Sequence, residues 1–293
     1  MEIVSAYACS HAGLVVSRAA QAREDQRSAV FGAFKQMGAA IAEQAPDAIV
    51  IVATDHGKIY PLSGVPQFTI GVSATARAIG DAEIPAAEVP IHQAFAQAIL
   101  DAALEEGIDL AYSESMQIDH SFAMPLYLAE TAIPIVPIAQ NCNYPPLPTL
   151  ARSYEVGRKL RNAIRRGPPG RVVIVGTGGL SHWVGTDEQQ RFRRRPAGTR
   201  LGAAQTPLTI SETGPVNAVF DRAFLDVICG GRTPAWLREY TTERLYDEAG
   251  NGAQEIRNWL LVAGAMEDRP ANVLAYADVP QWLTGTAVIE FAR

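Results

Sequence analysis

The chain is expected to fold as an α/β protein with a central, mostly parallel sheet flanked by helices, as one large domain or two smaller ones, with no linker to decide between them. Two observations predict that fold. Short runs of apolar and β-branched residues, among them Glu2 to Ser10, Ala48 to His56, Ile133 to Gln140 and Arg171 to Ser181, have the length and continuity of strands buried on both faces. Helical spacing separates them, giving the strand, helix, strand units from which parallel sheets are built. A third observation locates the business end of such a sheet. His11, His56 and His182 each follow one of these runs, and His120 closes the run Leu110 to Asp119, so four of the five histidines occupy matching positions. In open α/β sheets that position is the carboxyl edge, where the loops leaving the strands converge on ligands.

Taken in order, Ala22 to Ala45 places Val30, Phe31, Phe34, Met37 and Ile41 on one helical stripe, and Pro46-Asp47 ends it before the second strand. From Gly57 to Pro90 the text is richer in Gly, Pro and Ser with short β-like pieces such as Phe68 to Val72. Such an excursion is expected to wall a site with its own edge strands. Ile91 to Glu106 is helical in pattern, and Ile108 to Gln117 reads as extended, leading to Asp119-His120. After Ile133 to Gln140 comes a helix from Thr149 to Arg166, broken by GPPG ahead of the strand that ends near His182. Beyond it the chain reads as loop to about Pro215, then as helix over Val216 to Ile228 and a more polar helical patch over Ala235 to Tyr246.

Bulk properties exclude several classes. Close to half of the residues are apolar, 48%, and 19% are charged. No apolar segment is long enough to span a bilayer. The start, MEIVSAYACSHAG, lacks the basic and long apolar parts of a secretory signal, so a cytoplasmic protein is expected. Three widely spaced cysteines neither make a disulfide framework nor match zinc-finger spacing. A formal net charge of −6 argues against general nucleic-acid binding. The one basic run, Arg191 to Arg200, reads as a solvated loop, with anion binding as the alternative.

The segment Gly252 to Met266 supplies a carboxylate in unusual company. In a helix, Glu255, Trp259, Val262 and Met266 lie one above another. A carboxylate on an apolar face survives by shifting its pKa, by pairing or by binding a metal. From this helix alone, a Glu at the margin of the stripe, reaching water or paired with Arg257 or Arg244, is a better account than a ligand. Two neutral imidazoles and one carboxylate on one side of a metal suit a non-haem Fe(II) oxygenase, and zinc accepts the same ligand types. Asp55 and Asp119, each directly before a histidine, are placed either to orient an imidazole or to cap the following turn.

The segments SHAGL at Ser10, TDHG at Thr54, MQIDHSFAMPL at Met116, GTGGLSH at Gly176 and AGNGAQEIRNW at Ala249 together resemble the signature blocks of the class III extradiol ring-cleavage dioxygenases. The resemblance runs in order over nearly the whole chain. It is closer to the branch acting on 2,3-dihydroxyphenylpropionate than to the catalytic subunits acting on protocatechuate. It implies a single catalytic dioxygenase domain over residues 1–293, Fe(2+) as cofactor, a catechol and O₂ as substrates, no nucleic-acid or membrane partner, and a homo-oligomer. By position, His11, His56 and Glu255 match the family's metal ligands, and His120 and His182 its acid/base histidines. His92 lies in no block and is assigned to the surface or to packing. Glycines before His182 are expected to permit a tight turn and close approach to substrate.

Two departures bear on specificity. Ser121 and Trp183 stand where the family carries Gly and Gln, and Trp183 is expected to reshape the pocket. A carboxylate tail on the ring would call for a cation, for which Arg191, Arg193, Arg194, Arg195 and Arg200 are candidates. The expected reaction is Fe(II)-dependent opening of a 3-substituted catechol beside the diol, giving a 2-hydroxymuconic-semialdehyde type product. The competing expectations are a 2-aminophenol or protocatechuate-type substrate, a zinc hydrolase, and a metal-free interaction protein on the same fold.

Overall fold

The computed structural model describes residues 1–61, 63–185 and 214–293. The basic run Arg191 to Arg200 lies outside them. The strands are β1 (Glu2–Cys9), β2 (Ala48–Ala53), β3 (Phe68–Gly71), β4 (Thr75–Ala78), β5 (Ala87–Pro90) and β6 (Ala111–Ser113). They continue with β7 (Gln117–Ile118), β8 (Ile135–Gln140), β9 (Arg171–Thr177), β10 (Ala271–Val279) and β11 (Thr284–Phe291). An eight-stranded sheet runs β10-β11-β1-β9-β2-β8-β3-β6, and β5-β4-β7 form a separate three-stranded sheet. Its centre is parallel throughout, since β1 pairs with β9, β9 with β2 and β2 with β8 in the same direction. Antiparallel pairs occur only towards the flanks, β11 on β1, β10 on β11 and β3 on β8.

The central strands are apolar without alternation because both faces are covered. Every residue of β2 and β8 is buried. The helices are α1 (Leu14–Ser17), α2 (Glu24–Glu43), α3 (Gln93–Glu105), α4 (His120–Leu128) and α5 (Leu150–Arg166). After these come α6 (Ala218–Cys229), α7 (Thr233–Trp236), α8 (Thr242–Ala249) and α9 (Ile256–Ala265). Helix α2 lies against β10 and β11, while α5 packs on α9, which rests on β9 and β1. The stripe read from the sequence is the buried one: Val30, Phe34, Met37 and Ile41 of α2 are all within the core.

Three expectations are corrected. The excursion after Gly57 does not keep all its strands to itself, because β3 joins the main sheet and only β4 and β5 pair apart. His120 does not follow a strand of the main sheet; it begins α4, whose N-terminus is capped by Asp119 accepting from the Ser121 backbone N–H. The terminal hairpin β10–β11 was not among the expected elements, although Leu274 to Val279 alternates between half-buried and buried positions as a strand with one covered face should.

Candidate active site

Topology explains why the histidines meet. Strands β1, β9 and β2 are neighbours in the sheet although β9 comes last in sequence, so their carboxyl ends lie side by side. His11 follows β1, His182 follows β9 and His56 follows β2. Glu255 arrives from the opposite side, at the end of a tight 3-10 turn, Gly252–Glu255, that leads into α9. All four residues are buried, at 9% exposure or less.

Glu255 is the hub. Its Oε2 lies 3.0 Å from His11 Nε2 and its Oε1 3.1 Å from His56 Nε2. Oε2 also accepts the Gly179 backbone N–H at 2.8 Å. His182 Nε2 stands further off, 3.7 Å from Oε2. Burial alone would raise the Glu255 pKa, but the surrounding imidazoles hold it well below the usual carboxylate range. Pairing with an arginine, the other account open from the sequence, is not found. Arg257 instead donates to the Pro148 carbonyl, to Gln254 and to Thr242, and Arg244 pairs with Glu248.

The far side of each ring fixes its tautomer. Thr177 spends its hydroxyl hydrogen on the Ser121 carbonyl, so it accepts from His11 Nδ1–H at 2.9 Å. The His11 Nε2 lone pair then faces Glu255 Oε2, and this buried nitrogen has no hydrogen-bond partner. Burial lowers the His11 pKa against the pull of Glu255, so no proton relieves the contact. Two acceptors 3.0 Å apart in a buried site call for a cation between them. His56 gives its Nδ1–H to Asp119 Oδ2 at 3.1 Å, which also leaves Nε2 on the Glu255 side. His182 gives Nδ1–H to the Leu180 carbonyl at 2.8 Å, leaving its Nε2 lone pair inward. Orientation through the outer ring nitrogen is how imidazoles are prepared to bind metals or protons.

The Asp residues divide the work. Asp119 does both things expected of it, holding His56 and capping α4. Asp55 does only one: its carboxylate accepts the backbone N–H groups of Lys58, Ile59 and Tyr60, and it caps the turn. The carboxylate that orients a second histidine is Asp81, whose Oδ2 lies 2.6 Å from His120 Nδ1. No local pattern pointed to Asp81, because its partner is 39 positions away. His120 stacks on His56 with ring centres 4.3 Å apart and lies 6.0 Å from His11. His92, as expected, is elsewhere, capping α3 and stacking on Phe95.

Glycines serve this site differently from the expectation. A Cβ on Gly179 would stand 2.5 Å from His182 Cε1, and one on Gly252 would stand 2.2 Å from His182 Cδ2. The ring of His182 is thus clamped between two backbones, and the glycines make room for the histidine rather than for substrate. Trp183 does not line the cavity; it stands edge-on to Tyr246 at 5.6 Å, and Val184 faces the cavity instead. That cavity, about 210 Å³, opens over His11, His56, His120, His182 and Glu255. Its walls add Ala12, Gly13, Leu14 and Ala82 beside Lys58 and Asp81.

His56 makes the metal question testable by pH. Burial opposes its charge, but Asp119 and Glu255 prevail and push its pKa up to about 10. In the metal-free protein it therefore keeps a proton that a metal must displace. A folded pKa above the unfolded value of about 6.5 means that this proton stabilises the metal-free fold below that pH, and the contribution is lost as pH rises towards about 10. Divalent-metal binding is accordingly expected to release close to one proton at neutral pH and to tighten as pH rises. Calorimetric titrations in buffers of different ionisation heat measure this; identical heats in all buffers would contradict it.

Comparison with known proteins follows the same line. The family described as the catalytic LigB subunit of aromatic ring-opening dioxygenase matches residues 5–287. A 2,3-dihydroxyphenylpropionate/2,3-dihydroxicinnamic acid 1,2-dioxygenase of Burkholderia vietnamiensis is 31% identical over 265 residues, covering 82% of this chain and 82% of that protein. A protein of the same description from a Rhodococcus species is 31% identical over 290 residues, covering 89% and 90%. A crystal structure of an uncharacterized Escherichia coli K12 protein shares the fold at a TM-score of 0.57 and 14% identity, covering 98% of this chain and 99% of the other.

Proposed function

Because this chain belongs to the LigB family of aromatic ring-opening dioxygenases, and so is a ring-cleaving oxidoreductase, we propose that it opens a 3-substituted catechol of the 2,3-dihydroxyphenylpropionate type with O₂, using Fe(II). The observation that carries the metal is the unpartnered His11 Nε2 opposite Glu255 Oε2. Once His56 gives up its extra proton, His11, His56 and Glu255 offer two imidazole nitrogens and one carboxylate, three groups close enough to share one ion. That donor set leaves positions open for substrate and is the one used by non-haem Fe(II) oxygenases. When bound, the ion would hold the two ring oxygens and O₂ together and pass electron density from ring to oxygen.

The remaining chemistry belongs to the side chains. A catechol must lose a proton to chelate, so a base is needed beside the metal but not on it. His182 answers that description: its Nδ1–H is held by Leu180, its Nε2 lone pair faces inward, and it stands beyond the Glu255 contact distance of the other two histidines. Burial lowers its pKa, which keeps the ring neutral and ready to accept. His120, held through Nδ1 by Asp81 on the cavity wall, is the second acid/base group and returns a proton as the ring opens. Apolar walls from Ala12, Leu14 and Val184 receive the ring face and exclude water.

Relatives named for 2,3-dihydroxyphenylpropionate support the substrate class. A panel of catechols tests it. The iron-loaded protein is expected to take up oxygen and form the yellow ring-fission product with 2,3-dihydroxyphenylpropionate faster than with protocatechuate or 2-aminophenol. A preference for either of the latter would overturn the substrate assignment while leaving the reaction class.

A further inference from the structure

Lys58 is the only lysine or arginine among the described residues that line the cavity, and the proton transfers assigned to His120 and His182 do not use it. Contacts lead outward to it in steps. Glu255 meets His56, His56 stacks on His120, His120 meets Asp81, and Asp81 meets the Lys58 ammonium. Lys58 therefore stands one imidazole and one carboxylate beyond the cluster that would hold the ring oxygens. The intervening wall is apolar, from Ala12, Gly13 and Ala82. An ammonium carries three donors; Asp81 takes one, and the side chain is still 32% exposed.

We propose that Lys58 is the specificity-determining cation of this site, reading a carboxylate at the end of a short side chain on the catechol ring; the inference rests on the ring-opening function proposed above. Charge limits the ligand. Asp81 already offsets part of the ammonium charge. A singly charged carboxylate is accommodated there, and a doubly charged phosphate is disfavoured. The carboxylate takes a free N–H of Lys58 while Asp81 keeps its own bond, so His120 stays in place when substrate enters. This assigns to a described residue the role that the sequence left to Arg191, Arg193, Arg194, Arg195 or Arg200.

Equilibrium binding without oxygen tests this apart from turnover. The probes are 3-(2,3-dihydroxyphenyl)propionate and its uncharged counterpart 3-propylcatechol, titrated into iron-loaded wild type, Lys58→Met and Lys58→Arg. A charge-assisted hydrogen bond predicts that wild type favours the acid and that Lys58→Met reduces this preference roughly ten- to a hundredfold. Lys58→Arg, which keeps the charge, is expected to restore most of it. Equal weakening of both ligands in Lys58→Met would mean that Lys58 acts only by holding Asp81, and would overturn the proposal. So would a wild type that does not prefer the acid. Failure of the underlying functional reading looks different: the loaded wild type would then neither bind nor open either catechol.

Discussion

Glu255→Ala is expected to empty the site. Among the described residues the Glu255 carboxylate is the group within 3.1 Å of both His11 Nε2 and His56 Nε2, and it is the anionic member of the proposed ligand set. Loss of one of the three proposed protein ligands is expected to weaken metal binding by more than about a hundredfold, beyond the effect typical of removing an outer partner. Ring opening should fall with it. Metal content after dialysis, measured by atomic emission, is the readout. Glu255→Gln separates charge from shape, because the amide oxygen still accepts the Gly179 N–H that Glu255 now satisfies. It should keep the thermal stability of the metal-free protein more closely than alanine does, and lose metal all the same. Full metal content in either variant would remove Glu255 from the ligand set.

His182→Ala is expected to do the opposite. Its Nε2 is 3.7 Å from Glu255 Oε2, against 3.0 and 3.1 Å from the nearer Glu255 oxygen for His11 and His56, the two histidines proposed as ligands, so metal content should be retained. Turnover should fall by about 10² to 10⁴, the usual worth of a positioned acid/base group. The slot between Gly179 and Gly252 fits an imidazole ring, and imidazole added to the buffer should restore part of the rate. Loss of metal together with activity would make His182 a ligand and not a base.

How much of this could be read from the chain alone depends on distance along it. The parallel centre was legible because β2, β8 and β9 are buried on both faces and so are apolar in unbroken runs. Histidines at the ends of such runs were legible for the same reason. What the runs could not reveal is that β9 inserts between β1 and β2, the arrangement that brings His182 beside His11 and His56. Glu255 was ambiguous because its helix shows only an apolar neighbour list; the residues that decide its state, His11 and His56, come from the first quarter of the chain. Asp81 and Lys58 gave no signal, since a turn aspartate and a loop lysine are ordinary until His120 is placed between them and the cluster. Ile108 to Gln117 was legible as extended and holds β6 and the start of β7, whereas α4 directly after it was not read, although Asp119 accepting from the Ser121 backbone N–H is a common helix cap.

Oxygen accounting tests the central claim most directly. The protein is loaded with Fe(II) without air, given 2,3-dihydroxyphenylpropionate, exposed to isotopically labelled O₂, and the product is analysed by mass spectrometry. A site built on His11, His56 and Glu255 with His182 as base predicts one O₂ consumed per ring opened and a yellow ring-fission product cleaved beside the diol, with label from the same O₂ molecule in both new oxygen positions, save what the new carbonyl exchanges with water. A loaded protein that consumes no oxygen with any catechol, or that cleaves between the two hydroxyls, would contradict it.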